Sequence, residues 1–285
     1  MSEVEIGPGK RARRGYRLDE VSIVPTRRTR DADDVDLRWR LDAFTFGSPF
    51  VVDGDARAVE GLSVLDSAAF FSPERVLDRE SLSVALARQR EQHGTVALSV
   101  RPQRAEQLIG VLNRLDVDLL IIRGRVVSAE HASRTREPLN LKQVVRRMET
   151  PVIVGGCSSF TGALHLMRTG AAGVIVSSHH RTHGVGVPLA TAIAEAAAAR
   201  LRHLDETGVY VHVIADLESC EGGDAAKAVV CGADAVMVDP TAGGDRSSGL
   251  DDALTAMAAG LRRSMASCGY ENAKRFQLAD LVVLR

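Results

Sequence analysis

Short β-branched runs alternating with amphipathic segments predict an α/β fold of parallel strands, and the number of runs predicts a TIM-type (β/α)8 barrel. Four runs lie at 151–156, 173–178, 210–216 and 235–240, each ending on Gly, Ser, Asp or Pro. The segments between them close on Arg168-Thr169-Gly170 and on Cys231-Gly232. Continuous apolar runs separated by helices are the pattern of strands buried on both faces. A chain of 285 residues suits one large barrel.

In chain order, residues 1–48 are polar and irregular, with a short apolar piece at 21–25. The first strand is expected at 50–53 and the second at 62–65. Helical spacing over 78–92 (Leu82, Ala85, Leu86) stops at His93-Gly94. A third strand follows at 96–100, a helix from about 103 to 114, and a fourth strand at 118–122 with Gly124 behind it. With the four later runs the count is eight. One link is short. Only 54–60 separate the first two strands, whereas a parallel crossover usually takes about a dozen residues. Either the first crossover helix is missing, giving a reduced barrel, or one of the two strands is misplaced. Pro188 precedes a strong Ala-rich helix at 190–199. From Gly249 a further helix is expected, capped by Asp251 or Asp252, with Ala253, Leu254, Met257, Leu261 and Met265 as its apolar stripe. It stops at Cys268-Gly269, and 281–284 is a short strand or a docked tail. No repeat or low-complexity linker divides the chain, so 1–285 is expected to be a single domain.

The net charge of -1 with 26% charged residues gives no reason to expect an extended polyanionic partner. The one basic cluster is Lys10, Arg11, Arg13, Arg14 and Arg17, continued by Arg27, Arg28 and Arg30. It reads either as a contact to nucleotide phosphates or RNA, or as a solvated arm or subunit contact, and the second is preferred. Four cysteines (157, 220, 231, 268) lack CxxC spacing, which fits reduced thiols in a cytoplasmic protein. No run approaches the roughly 18 apolar residues of a membrane span, so neither membrane nor nucleic acid is expected as a partner.

Several stretches together resemble one family from end to end. They include 4–7 (Val-Glu-Ile-Gly), 19–30 (Asp-Glu-Val-Ser-Ile-Val-Pro-Thr-Arg-Arg-Thr-Arg), 137–142 (Glu-Pro-Leu-Asn-Leu-Lys) and 163–176 (Ala-Leu-His-Leu-Met-Arg-Thr-Gly-Ala-Ala-Gly-Val-Ile-Val). They continue through 187–193, 211–216 (Val-His-Val-Ile-Ala-Asp), 231–236 (Cys-Gly-Ala-Asp-Ala-Val) and 261–270. The chain resembles the IMP dehydrogenase/GMP reductase family, and within it the short actinobacterial IMP dehydrogenase-related branch without CBS domains. The resemblance implies a tetrameric barrel binding a purine ribonucleotide at the C-terminal ends of its strands. It also implies a cysteine nucleophile after strand six, a nicotinamide cofactor (NAD), and glycine-rich phosphate turns after strands seven and eight.

The residues at these places depart from that pattern. The loop after strand six reads Ser177, Ser178, His179, His180, Arg181, Thr182, His183, Gly184 and contains no cysteine. Cys157 and Cys220, on the same rim, are the remaining thiol candidates, although a free cysteine is more often a small core residue. Asp216 matches the family aspartate that takes ribose hydroxyls, and reads equally as a strand-end cap. The glycine expected after it is Leu217, and a Gly-Ser phosphate turn has become Asp239-Pro240. Glu218 and Asp239 therefore stand where a phosphate would bind. At about 4 Å and an effective dielectric near 20 a like-charge pair repels by roughly 4 kcal/mol, against about 1 kcal/mol for an ordinary hydrogen bond. Arg181 alone could offset this. Segment 241–249 is too short for the family's mobile flap. Gly155 and Gly156 are a ligand cradle by resemblance or a tight turn on their own, and with Asp216, Ser177, Ser178 and Arg181 they complete the expected ligand-binding set. His179, His180 and His183, with Asp216, Glu218 and Asp239 at neighbouring strand ends, hold the ingredients of a metal site, or form a solvated polar loop.

Three functional expectations follow. The first is a diverged paralogue of purine-nucleotide enzymes, weak or inert as an NAD-linked oxidoreductase. It would bind a purine nucleotide or nucleoside, or assemble with itself or with an intact relative. The second is an active NAD(P)-dependent family enzyme, and the third a barrel with a new, metal-assisted rim site.

Overall fold

The computed structural model describes residues 3–71, 76–124, 127–129, 134, 139–178, 184–217, 221–238 and 249–284. Eight parallel strands close into a barrel: β1 Phe50–Asp53, β2 Leu62–Asp66, β3 Ala97–Val100, β4 Leu119–Arg123, β5 Val152–Cys157, β6 Gly173–Val176, β7 His212–Leu217 and β8 Ala235–Val238. The outer layer comprises α1 Arg79–His93, α2 Pro102–Leu112, α3 Leu141–Arg147, α4 Phe160–Met167, α5 Leu189–Thr207, α6 Gly222–Val230, α7 Leu250–Ser267 and the short α8 Ala273–Phe276. Among the described residues no helix is long and apolar enough to cross a membrane.

The short first link does not prevent closure. A 3-10 turn, Arg57–Val59, stands in place of a helix, and β1 still pairs in parallel with β2 through Val51–Leu62, Val52–Ser63 and Asp53–Val64. Geometry explains the exception. A four-residue strand rises only about 10 to 13 Å at roughly 3.3 Å per residue, a distance eight loop residues can return over without a helix. The turn buries Ala56 and Val59, and α7 packs across it, covering the strand that lacks its own helix.

Strand register sorts the barrel interior into layers contributed by alternate strands, as closed parallel barrels require. The lowest holds Leu62, Leu119, Gly173 and Ala235, the next Val51, Ala97, Ile153 and Ile214, and the third Val64, Ile121, Ile175 and Met237. The hairpin Trp39–Leu41/Phe44–Phe46 plugs the N-terminal end, with Trp39, Leu41 and Phe46 joining this interior cluster. Alternate residues of the same strands, such as Phe50, Val52, Leu98, Leu120, Val154, Val213 and Val236, face outward into the larger core beneath the helices.

Half of the described helix starts carry a side-chain cap. Asp78, Asn140 and Ser159 each accept a backbone N–H at the start of α1, α3 and α4. At α7 the expectation is corrected. Gly249 holds the N-cap position, and Asp251 and Asp252 sit in the first helical turn, where they complement the helix dipole. The tail forms a strand, Leu281–Val283, paired antiparallel with Val21–Ile23.

Candidate active site

Above the three apolar layers the interior turns polar. The same register that places Val51, Ala97, Ile153 and Ile214 on one level places Asp53, Ser99, Gly155 and Asp216 two residues further along the same strands. The next level carries Asp66 of β2 and Arg123 of β4, with Ser177 immediately past β6 in the same phase. These residues ring the C-terminal mouth of the barrel, where such folds place their chemistry.

Arg123 lies across this mouth. Its Nη2 pairs with Asp53 Oδ2 on β1, and its Nη1 approaches Met237 Sδ of β8, on the opposite wall, to 3.1 Å. Asp66 accepts from Ala68 N at 2.9 Å and from Ser99 Oγ at 3.4 Å. Asp216 is half-buried. Ser177 is 5% exposed, and its buried Oγ finds no hydrogen-bond partner among the described residues. The described part of the mouth therefore presents three carboxylates and one guanidinium.

The expected site residues separate into distinct environments. Cys157 turns outward into the apolar layer beneath the helices. Its thiol donates to Ile175 O at 3.5 Å, and burial pushes its pKa up to about 12. Gly155 and Gly156 have their backbone groups engaged by the loop after β4: Gly124 N donates to Gly155 O at 2.8 Å, Gly156 N to Gly124 O at 2.9 Å and Val127 N to Gly156 O at 3.0 Å. A Cβ on Gly155 would lie 2.4 Å from Ile175 Cβ, so a glycine is needed for β5 to approach β6. Leu217 does not begin a turn. It extends β7, paired with Val238 and buried. Ser178 is buried beside Ser177. Cys220, Arg181, His179, His180, His183, Glu218 and Asp239 lie outside the described residues. Among those described, no three His, Cys, Asp or Glu residues are grouped to hold a metal ion.

The basic arm docks on the rim through specific partners. Arg13 pairs with Glu195, a buried carboxylate of α5 that also accepts from Phe160 N at 3.0 Å at the start of α4. Tyr16 N donates to Thr191 Oγ1 at 2.8 Å. Arg11 pairs with Glu3, Arg17 with Asp19, and Arg30 with Glu271. Much of the cluster's charge is thus compensated within the chain. At the opposite, N-terminal end, Asp234 gathers Arg200 Nη1 at 2.6 Å, Tyr210 OH at 2.7 Å and Val213 N at 2.8 Å, a network that ties α5 to the start of β7.

The family described as FMN-dependent dehydrogenase matches residues 78–282. The chain belongs to that family of barrels. An uncharacterized oxidoreductase of Mycolicibacterium smegmatis is 37% identical over 373 positions, covering 98% of this chain and 99% of the relative. An alignment that long against a 285-residue chain means the relative carries segments absent here. An IMP dehydrogenase/GMP reductase-like protein of Corynebacterium glutamicum superposes with a TM-score of 0.83 at 32% identity, covering 99% of this chain and 97% of its own. An inosine-5'-monophosphate dehydrogenase of Haemophilus influenzae is 35% identical over 141 residues, 47% of this chain. The chain is an oxidoreductase-type barrel, in keeping with the resemblance in its sequence. The family description names FMN, whereas the resemblance implied NAD.

The sequence reading missed Asp53, Asp66, Ser99 and Arg123. A signal was present, since each ends or nearly ends an apolar strand on the inward phase, a position at which a polar residue has no packing reason to be.

Proposed function

We propose that this protein is a diverged member of the oxidoreductase-barrel family that has lost nucleotide-linked redox turnover and acts by binding a ligand or by assembling with itself or a relative. The observation that carries this reading is the mouth itself, with Arg123 bridged to Asp53 and no described thiol facing the axis.

FMN does not fit the described residues. A flavin mononucleotide needs a flat seat for its ring and N–H donors for its phosphate. The third layer offers no exposed seat: Val64, Ile121, Ile175 and Met237 are all 3% exposed or less. The Gly155–Gly156 backbone is spent on the β4 loop, and three aspartates oppose a dianion. A nucleotide phosphate meets the same acids, joined in sequence by Glu218 and Asp239. Of the metal-assisted rim site only Asp216 lies among the described residues, and no three His, Cys, Asp or Glu residues there are grouped to hold a metal ion.

A thermal-shift screen with IMP, GMP, NAD, NADP and FMN tests the reading, because a ligand stabilises only the state it binds. No phosphorylated nucleotide is expected to raise Tm. A saturable rise of several degrees with any of them contradicts the loss of the phosphate seat.

A further inference from the structure

Resting on the reading that nucleotide chemistry has been lost, we infer that Arg123 is a built-in occupant of the barrel mouth, its guanidinium filling the place a planar ligand ring would take. The guanidinium is itself a flat, delocalised group. It reaches from β4 to partners on two other walls, Asp53 of β1 and Met237 of β8. Three strands lie between β4 and β8 on either side of the eight-stranded closed order, so a side chain touching both crosses the axis.

Beneath it, Met237 is 1% exposed and Ile175 1% exposed. These are the apolar surfaces on which an aromatic ring entering the mouth would rest, and Arg123 Nη1 already stands 3.1 Å from the Met237 sulfur. A ring cannot share that contact; it must displace the guanidinium and break its pairing with Asp53. The side chains of Arg123 and Asp53 are 28% and 22% exposed, so the pair is shielded enough to resist displacement and open enough to be reached. Ser177 adds a second, independent sign that the mouth was built for polar contact. Its Oγ is buried in the same ring of residues and has no partner among those described.

Riboflavin, a planar ring without a phosphate, tests the seat apart from the acids that oppose phosphate. Quenching of its fluorescence is titrated with the full-length protein. Wild type is expected to give no saturable quenching, and Arg123→Ala to bind at least about tenfold more tightly. Arg123→Met keeps the bulk over Met237 and is expected to stay closed. Asp53→Ala releases the guanidinium and is expected to gain binding, which keeps the test decisive if circular dichroism shows Arg123→Ala to be unfolded. Wild type binding riboflavin as tightly as Arg123→Ala overturns the inference, as does a folded Arg123→Ala, or Asp53→Ala in its stead, without gain. Arg123→Met opening as far as Arg123→Ala overturns its steric basis. Turnover of IMP with NAD by wild type would instead overturn the functional reading, and the riboflavin comparison would still decide the role of Arg123.

Discussion

Cys157 shows how one residue's surroundings decide its chemistry. On sequence alone it was a rim thiol, one residue beyond a strand-end glycine pair. Its side chain faces the helices, and burial lifts its pKa to about 12 from an ordinary value of 9.0. A three-unit rise lowers the thiolate fraction at neutral pH about a thousandfold, and the thiolate is the nucleophile. Alkylation followed by mass spectrometry is therefore expected to modify Cys157 only after unfolding. Rapid labelling of the native protein at this position would contradict the assignment. Of the expected residues, Asp216, Gly155 and Ser177 stand at the mouth. The inward phase at a strand end marks Arg123 as a mouth residue in sequence, but its partners on β1 and β8 are a matter of three dimensions.

At the scale of elements, the strands were legible because burial on both faces leaves an unmistakable apolar run. Their count of eight predicted a barrel, while the short first link left its closure open. The outlier was the 54–60 link, where a general crossover length misled because β1 is only four residues long. A contact that no periodicity reveals holds α6 to α7: a Cβ on Gly222 would lie 2.6 Å from Gly260 Cα and 2.7 Å from Met257 O. The two helices touch backbone to backbone there. Gly222→Ala is expected to push them apart and cost about 1 to 3 kcal/mol, read as a lower urea midpoint with an unchanged far-UV spectrum. An unchanged midpoint would mean that the helices shift freely. α6 starts just after the segment following β7, so this contact also positions the rim.

Over the whole molecule, three shielded histidines, His203 buried and His93 and His212 partly buried, contribute to the response to acid. His93, His203 and His212 all titrate below the ordinary 6.5, in each case chiefly through desolvation. Their unfolded forms bind protons more readily than their folded forms. The stability they contribute is therefore complete above about pH 6.5 and lost as pH falls through the lowered folded values. Urea midpoints are expected to be flat from about pH 8 to pH 7 and to drop toward about pH 5.5. His212→Phe, which retains a ring against Trp39, is expected to flatten part of that drop, and a midpoint that rises on acidification would contradict the account.

The barrel superposes on that of the IMP dehydrogenase/GMP reductase-like protein with a TM-score of 0.83, and in this chain it runs from a plugged base through three apolar layers. The last two interior levels carry Asp53, Ser99, Asp216, Asp66 and Arg123 in place of apolar side chains. Such replacement is possible because strand-end residues carry little of the barrel's packing, so the mouth can change while the layers below hold the fold. On the proposed reading this mouth no longer supports nucleotide-linked redox chemistry. The most direct test of that reading is NADH formation by purified full-length protein supplied with IMP and NAD. The expected result is no NADH above the protein-free control. Saturable NADH formation that is abolished by Cys157→Ala or Cys220→Ala would contradict it.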